Sequence, residues 1–470
     1  MSLGFSPAGA GDRCGVMLFT RDLRIRDNPA LAAAVGEHGT VVPAFVFDDQ
    51  LLGGDVLGTG RVGFLLECLD DLDESLRDLG AGLVVRRGDW VTETLRLAAA
   101  ASARTIHLSD DLSPFARRRL DRLGAEAARV GVEVRRHPGV AVVPPRAVTP
   151  AGASYFQVFT PYFHRWITAP LRPVAATPRR IRGNETIPLG TLPFLRDLAA
   201  GQRCAPSLLG GEHAAHWRFA GWAERELDTY DRHRDDLAVE GTSRLSAYLH
   251  FGCISPLTVM KEVLHSRGGG AFLRQLCWRD FFYQVLAARP DAAWGDFRPR
   301  GDVWDESVEL LDAWSEGRTG YPVVDAGMRQ LRAEGFMPNR ARMIVASFLT
   351  KDLFLDWRAG ARHFMRWLLD ADVASNNLNW QWVAGTGTDT SSHRILNPTL
   401  QGLKHDPDGR YVRRHVPELR GVPGRSIHDP DPVDRRSLGY PMPVVDHAQA
   451  VARYRARRVP TGTAAAATGR

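Results

Sequence analysis

The sequence predicts two domains. The first is an α/β domain on a doubly wound parallel sheet, Rossmann-like in type, and the second is all-α. Three observations carry this expectation. At 470 residues the chain is too long for a single hydrophobic core. Residues 15–140 alternate short β-branched runs with helical runs, as parallel strands joined by crossover helices do. From Trp217 onward apolar residues recur at helical spacing almost throughout. The expected boundaries are 15–140 for the α/β domain, 141–215 for a connector, 216–460 for the helical domain and 461–470 for a disordered tail.

In order, the strand runs are GVMLFT, VVPAFVFD, AGLVVRRGD, TIHLSD and VEVRRHP. Between them lie NPALAAAV, RVGFLLECLDDLDESLRDLG, VTETLRLAAAASA and FARRRLDRLGAEAARVG, which read as helices. Ligands of such sheets sit at the carboxyl ends of the strands. There the chain carries TRDLRIRDNPAL and SDDLSPFARRRL. No GxGxxG follows the first strand, so an ordinary dinucleotide site is not supported. Arg21, Asp22, Arg24 and Asp27 read equally well as a solvated turn that pairs its own charges.

Residues 141–215 are crowded with prolines and lose periodicity, as expected of a surface connection with short helical turns. Tyr155, Phe156 and Phe159 are expected to pin it to a domain face. AGWAERELDTYDRHRDDL follows as one helix, then SRLSAYLHFG starts another. Thr242, Ser243 and Ser246 at that start offer hydroxyls and free N–H groups, either as a phosphate seat or as a plain helix cap.

The stretch from Gly320 to Trp382 concentrates the chemistry. Met328, Leu331, Ile344, Phe348, Leu349 and Leu353 keep helical spacing, so these helices are packed. Yet the same segments carry Arg342, Asp370, Asp372, Asn376 and Asn377, and a buried charge is tolerated only when paired or when it holds something. Trp314, Trp357, Trp367, Trp380 and Trp382 crowd the same region. Helices enclosing a flat, polar-edged ligand would need all three features.

Composition narrows the classes. Apolar residues make up 44% and charged residues 24%, as in globular proteins. No run of about 18 uncharged apolar residues exists, so no membrane span is expected. The N-terminus lacks the pattern of a secretory signal. Five scattered cysteines without CxxC or a Cys/His cluster argue for a reducing compartment and against a zinc site. The net charge of +6 and pI near 9.2 mildly favour a polyanionic partner.

EGTSRLSAYLHFG, WRDFFYQ, GYPVVDAGMRQL, NRARMIVASFLTKDLFLDWR and NNLNWQW, with TRDLRIRDNPAL in front, resemble the photolyase/cryptochrome flavoprotein family. The resemblance runs from about Val16 to His447. It is strongest to the bacterial class I cyclobutane pyrimidine dimer photolyases. It implies FAD bent into a U within the helical domain. By match, Tyr230, Thr242, Ser243, Arg244, Leu245 and Ser246 line its phosphate and adenine side. Trp278, Arg279, Asn339, Arg342, Asp370, Asp372 and Asn376 surround the rest. Arg342 and Asp370 would pair beside the isoalloxazine, and Asn376 would face its N5. Trp380, Trp357 and Trp314 would form an electron chain, with Trp380 next to the flavin, Trp357 in the middle and Trp314 at the exit.

The implied substrate is DNA carrying fused adjacent pyrimidines, a lesion cheaper to flip than a normal pair. Gln275, Trp278, Asn339, Met343 and Trp382 match the lesion pocket, and Arg234, Arg340 and Arg394 the phosphate contacts. Arg410, Arg413 and Arg414 read better as a solvated basic face. The implied chemistry is light-driven: reduced flavin gives one electron to the dimer, its cyclobutane bonds split, and the electron returns. No metal or general base is required.

Gln275 stands where dimer-specific relatives carry glutamate; it can donate a hydrogen bond but not a proton. The (6-4) photolyases carry histidines where this chain has Pro338, Asn339 and Met343, so their protonation chemistry is missing. Phe336 stands where tryptophan is commoner. Dimer repair is therefore the leading reading. A (6-4) photolyase, a signalling cryptochrome and a non-repairing DNA-binding flavoprotein are the alternatives. FVFDDQLL and SDDLSPFARRRL resemble relatives with an antenna pigment, 8-hydroxy-5-deazaflavin, with methenyltetrahydrofolate or FMN as alternatives. Arg61 and Asp111 are the matching positions. A monomer is expected, cytoplasmic and on the nucleoid when bound to DNA.

Overall fold

A computed structural model describes residues 14–54, 57–201, 204, 208–389 and 394–458. The expected tail, 461–470, lies outside the described residues. The strands are β1 (Cys14–Leu18), β2 (Thr40–Asp48), β3 (Val84–Gly88), β4 (Thr105–Ser109) and β5 (Glu133–His137). They form one parallel sheet in the order β3-β2-β1-β4-β5. β1 and β4 are buried at every position, which is why they read as unbroken apolar runs rather than alternating ones. The crossover helices begin where the sequence supplies caps. Asn28, Asp89 and Ser113 accept from the N–H groups of Leu31, Thr92 and Ala116, and Pro29 and Pro114 follow two of them.

Three cores hold the molecule. One face of the sheet packs Val16, Leu18 and Val42 against Trp90 and Leu123. The other face does not close on itself. Met17, Phe19, Phe45 and Phe47 share a core with the helix Thr59–Asp78 and the helix Gly269–Ala288. A third cluster gathers Met328, Ile344, Trp357 and Trp380.

Two expectations change here. The connector is not merely draped: Phe156, Phe159, Tyr162 and Trp166 are buried in the shared core. Trp166 Nε1 donates to Asp280 and the Phe156 N–H to Gln284, both at 2.9 Å. Phe156 and Phe159 pin it as expected; Tyr162 and Trp166 are further anchors that a proline-rich segment without periodicity did not reveal. The expected helix over 220–237 starts earlier, at Glu212, and ends at Glu226. It tightens to a 3₁₀ turn, Leu227–Thr229, then gives one short helix, Tyr230–His233.

The segment Arg21–Asn28, at the carboxyl end of β1, is the seam between the domains and not a solvated turn. Asp22, Arg24 and Asp27 are all buried. Arg24 donates to the carbonyls of Arg26, Asp27, Gly139 and Gly252. Asp27 holds Arg172 through both oxygens and accepts from Ala175 N and Ser255. Gly252 has φ +73°, and a Cβ there would lie 2.0 Å from the Arg21 carbonyl oxygen, so glycine is what lets the two backbones meet. The scattered cysteines are all buried, and the seam brings Cys68 and Cys253 to 3.4 Å.

Candidate functional site

The site is built on the starts of three helices. Asp372 caps the helix Val373–Ala384, accepting from Ser375 N at 2.8 Å. Pro338 precedes the helix Asn339–Ser347, and Leu245 precedes the helix Ser246–Phe251. With the long helix Gly269–Ala288 they enclose one cavity of about 460 Å³. All thirteen residues expected around the cofactor line it: Tyr230, Thr242, Ser243, Arg244, Leu245, Ser246, Trp278, Arg279, Asn339, Arg342, Asp370, Asp372 and Asn376. So do Gln275, Met343, Trp380 and Trp382.

Arg342 donates to Asp370 Oδ2 at 2.9 Å and to the Met337 carbonyl at 2.7 Å. Asp370 Oδ1 is buried and has no hydrogen-bond partner among the described residues. A buried carboxylate oxygen left open at a cavity wall is an acceptor for something that enters the cavity. Asn376 is oriented by its surroundings. Its Nδ2 donates to the Ala361 carbonyl at 3.1 Å and to Asn377 Oδ1 at 2.8 Å. Asn377 in turn donates to the Ala293 carbonyl. Carbonyls only accept, so both amides are fixed, and Oδ1 is what Asn376 offers the cavity it lines.

Asp372 faces the seam. Arg21 donates to its Oδ2 at 2.7 Å, and the Tyr283 hydroxyl donates there at 3.1 Å. Burial alone would raise this carboxyl. The charge of Arg21 and the Ser375 N–H hold it well below the usual carboxylate range. Burial and the Arg21 charge push His250 well down, so its ring is neutral. Arg244 adopts φ +53°, pairs with Glu240 and Glu334 at 3.3 Å, and lies over the Phe336 ring at 4.5 Å. Phe336 thus faces a cation on the cavity wall, a role its sequence position did not suggest. Trp278 stacks on Phe159 at 3.7 Å with rings 3° apart. One face of that indole is therefore spent on the connector.

Other expected residues fall elsewhere. Arg340 is tied to Asp235 at 2.7 Å, beside Arg234, on the helix that presents Asn339. Arg394 lines a small hollow with Met343 and Trp382. Arg410 and Arg414 pair with Asp408 and Glu240, and Arg413 bonds to the Val422 carbonyl.

Three positions are corrected. Trp314 is 0% exposed and lies edge-on to Trp380 at 6.0 Å, so it is not the exit of a chain that passes through Trp357. The motif match puts Trp314 at the exit, but its helix, Val308–Glu316, turns that ring inward. Arg61 is buried and donates to the carbonyls of Met365, at 2.6 Å, and Leu368, so it fastens the two domains instead of lining an antenna site. Asp111 is buried too; it accepts from Leu112 and Ser113 N–H and pairs with Arg21 at 3.5 Å. Sequence reading also missed Arg21, His250 and Trp304. Trp304 is half-buried and packs on Phe354 at 5.0 Å, and the bridge Asp305–Leu355 holds it beside the segment leading to Trp357.

A large cavity with aromatic walls, arginines on its rim and an open buried acceptor defines a binding protein for an extended, anionic, aromatic cofactor. In the α/β-plus-helical arrangement described above, that is the architecture of a two-domain flavoprotein. Residues 15–179 match the DNA photolyase family model, and residues 272–458 match the FAD-binding domain of DNA photolyase. A deoxyribodipyrimidine photo-lyase of Streptomyces griseus is 46% identical, over 94% of this chain and 98% of that protein. The solved archaeal photolyase of Sulfolobus tokodaii, which holds two FAD molecules, superposes with a TM-score of 0.85. It is 30% identical, over 94% of this chain and 99% of that one. A cryptochrome of Synechocystis sp. superposes at 0.89 with 27% identity, covering 96% and 100%. The chain belongs to the photolyase/cryptochrome family.

Proposed function

We propose that this protein is a light-dependent deoxyribodipyrimidine photo-lyase, which binds FAD in the cavity and splits cyclobutane pyrimidine dimers in DNA. The observation that carries the reading is that one cavity is lined both by the Arg342–Asp370–Asn376 set and by Gln275, Trp278, Met343 and Trp382. Cofactor and lesion would share a wall.

When bound, reduced FAD supplies under blue light the electron that the dimer needs for its cyclobutane bonds to break. The protein's own part is positioning and electrostatics. Arg342 sets a fixed positive charge against the flavin ring, held by Asp370. Asn376 presents an acceptor oxygen, which suits a protonated ring nitrogen. Trp278 and Trp382 supply faces for the flipped bases, with stacking worth about 1–3 kcal/mol per base. Gln275 donates to a base carbonyl. Arg234, Arg340 and Arg394, around Asn339, Met343 and Trp382, take the flanking phosphates.

Trp380 on the cavity wall and Trp357 carry electrons toward bound flavin, with Trp304 as the solvent end in place of Trp314. Trp304→Phe then slows photoreduction of the bound flavin more than Trp314→Phe does. A second pigment draws no support from Arg61 or Asp111. An absorption spectrum of the purified protein separates 8-hydroxy-5-deazaflavin, methenyltetrahydrofolate, FMN and a second FAD.

The fold alone does not separate repair from signalling, because a cryptochrome shares it. The test is anaerobically reduced protein, blue light and an oligonucleotide bearing one dimer. Light-dependent loss of the dimer supports the reading. Binding without loss returns the choice to a cryptochrome or a structural DNA-binding flavoprotein, and reversal of a (6-4) lesion instead overturns the lesion assignment. DNA is the partner this reading requires. No helix among the described residues is long and apolar enough to cross a membrane.

A further inference from the structure

The α/β domain carries a second group of chemistry-bearing side chains, away from the cavity. The pair 37–38, residue 107 and residue 137 are far apart in the chain, which is why no histidine cluster was visible in the sequence. The fold brings them together where the helix Pro29–Glu37 ends against β4 and β5. His38 Nε2 lies 3.0 Å from His107 Nε2, and His107 Nδ1 lies 3.1 Å from His137 Nε2. Glu37 extends a carboxylate to 3.9 Å from His107 Nε2. One donor atom from each of Glu37, His38 and His107 lies within 4.8 Å of the others. Gly15 of β1 makes room: a Cβ there would lie 2.3 Å from the His38 ring.

We propose that Glu37, His38 and His107 form a binding site for one divalent transition cation of the zinc type, with His137 as the residue that orients His107.

The chemistry fits in four respects. Two imidazole nitrogens and a carboxylate oxygen are a borderline donor set of the kind zinc takes, leaving a fourth position for water. Two nitrogens on a common tetrahedral zinc are roughly 3.3 Å apart, so the observed 3.0 Å asks the rings to part by only a few tenths of an ångström. His107 is fully buried, and burial favours the neutral ring, which keeps a lone pair for a cation. When His107 Nδ1–H donates to His137 Nε2, the lone pair of His107 is placed on Nε2, toward His38. This is the second contact that metal-binding histidines usually make.

Two adjustments accompany binding. The hydrogen shared by the two Nε2 atoms moves to the other nitrogen of His38, a change of tautomer that leaves both rings neutral. Glu37 exchanges its ion pair with Arg135 for the cation. Arg135 is not stranded, because it also holds Glu133 at 2.8 and 2.9 Å. A cation here would fasten the end of a crossover helix to two strands of the sheet. The competing reading is a plain chain of hydrogen-bonded imidazoles.

The experiment uses the full-length flavin-bound protein prepared without a polyhistidine tag. It is stripped with EDTA, mixed with zinc sulfate and desalted, and bound metal is measured by mass spectrometry, with affinity from calorimetry. The expected result is one zinc ion per chain. His38→Gln and Glu37→Gln each abolish retention, and His137→Gln weakens binding by about 10- to 100-fold. His213→Gln, an exposed histidine paired with Asp71, serves as control and leaves retention unchanged. Wild-type protein that holds no zinc after desalting overturns the proposal. So does zinc retained equally by Glu37→Gln and His38→Gln. Glu37 is exposed at a helix end, so its variant keeps the test decisive even where His38→Gln fails to fold.

Discussion

The seam and the cavity are both lined by buried charges, and they differ in one respect. At the seam Asp22, Arg24 and Asp27 close on protein. Asp22 accepts from Thr20 N, Ser109 and Asn28, and Arg24 spends its guanidinium on four carbonyls. In the cavity the accounts stay open: Asp370 keeps an oxygen without a partner, and Asn376 keeps one for the space it faces. Burial of charge alone therefore does not mark a ligand site. What marks it is burial, incomplete pairing and an adjoining cavity together.

The largest expected effect tests the closed side. Arg24→Ala leaves four carbonyls without their donor and removes the positive charge that favours the Asp22 carboxylate, and should cost about 3–5 kcal/mol of stability in urea unfolding while the flavin affinity of the remaining folded protein stays unchanged. A loss of flavin affinity without loss of stability would erase the distinction drawn here. Arg342→Ala tests the open side. It strands Asp370 beside the cofactor, and should weaken FAD binding by about 100-fold or more in a fluorescence titration, with a smaller effect on the apoprotein's stability.

Asp280 sharpens the comparison because it is half open with no cavity beside it. One oxygen takes Trp166 and Val143, and the other has no hydrogen-bond partner among the described residues, only the Arg279 guanidinium at 3.9 Å. Burial pushes its carboxyl up to about 6. The folded value lies above the unfolded value of about 3.9, so its contribution is fully present at lower pH and is lost as pH rises through about 6. Wild-type stability should fall across that window by about 2–3 kcal/mol through this group, and Asp280→Asn should flatten the fall. An unchanged pH profile in the variant would show that Asp280 is not the group responsible.

The smallest effect belongs to the lesion wall. Trp382→Ala should weaken binding of dimer-bearing DNA by about 1–3 kcal/mol, seen as a faster off-rate, while flavin content is kept. An equal loss for undamaged DNA would assign Trp382 to general DNA binding.

Much of this was legible without coordinates. β1, β2 and β4 were readable because strands buried on both faces become short apolar runs, and the edge strands β3 and β5 by their place in the alternation with helices. The thirteen residues expected around a cofactor, which line one cavity, were legible because they sit in long motifs, where several side chains keep fixed spacing. Errors came where partners are remote in sequence. Arg21 read as part of a solvated turn and Arg61 as an antenna position because their partners, Asp372 and the Met365 and Leu368 carbonyls, lie across the domain seam. Trp314 read as an exit because a motif match gives a residue's place in the chain, not its distance from solvent.

The sequence by itself determined the order of elements, the two kinds of architecture and the identity of the residues that line the cavity, because those depend on local spacing and local chemistry. Tertiary structure alone decided which charges are closed and which are open, which tryptophan approaches solvent, and that Glu37, His38, His107 and His137 meet. Those properties depend on contacts between segments tens to hundreds of residues apart, and such contacts are set by how the sheet, the connector and the helices pack.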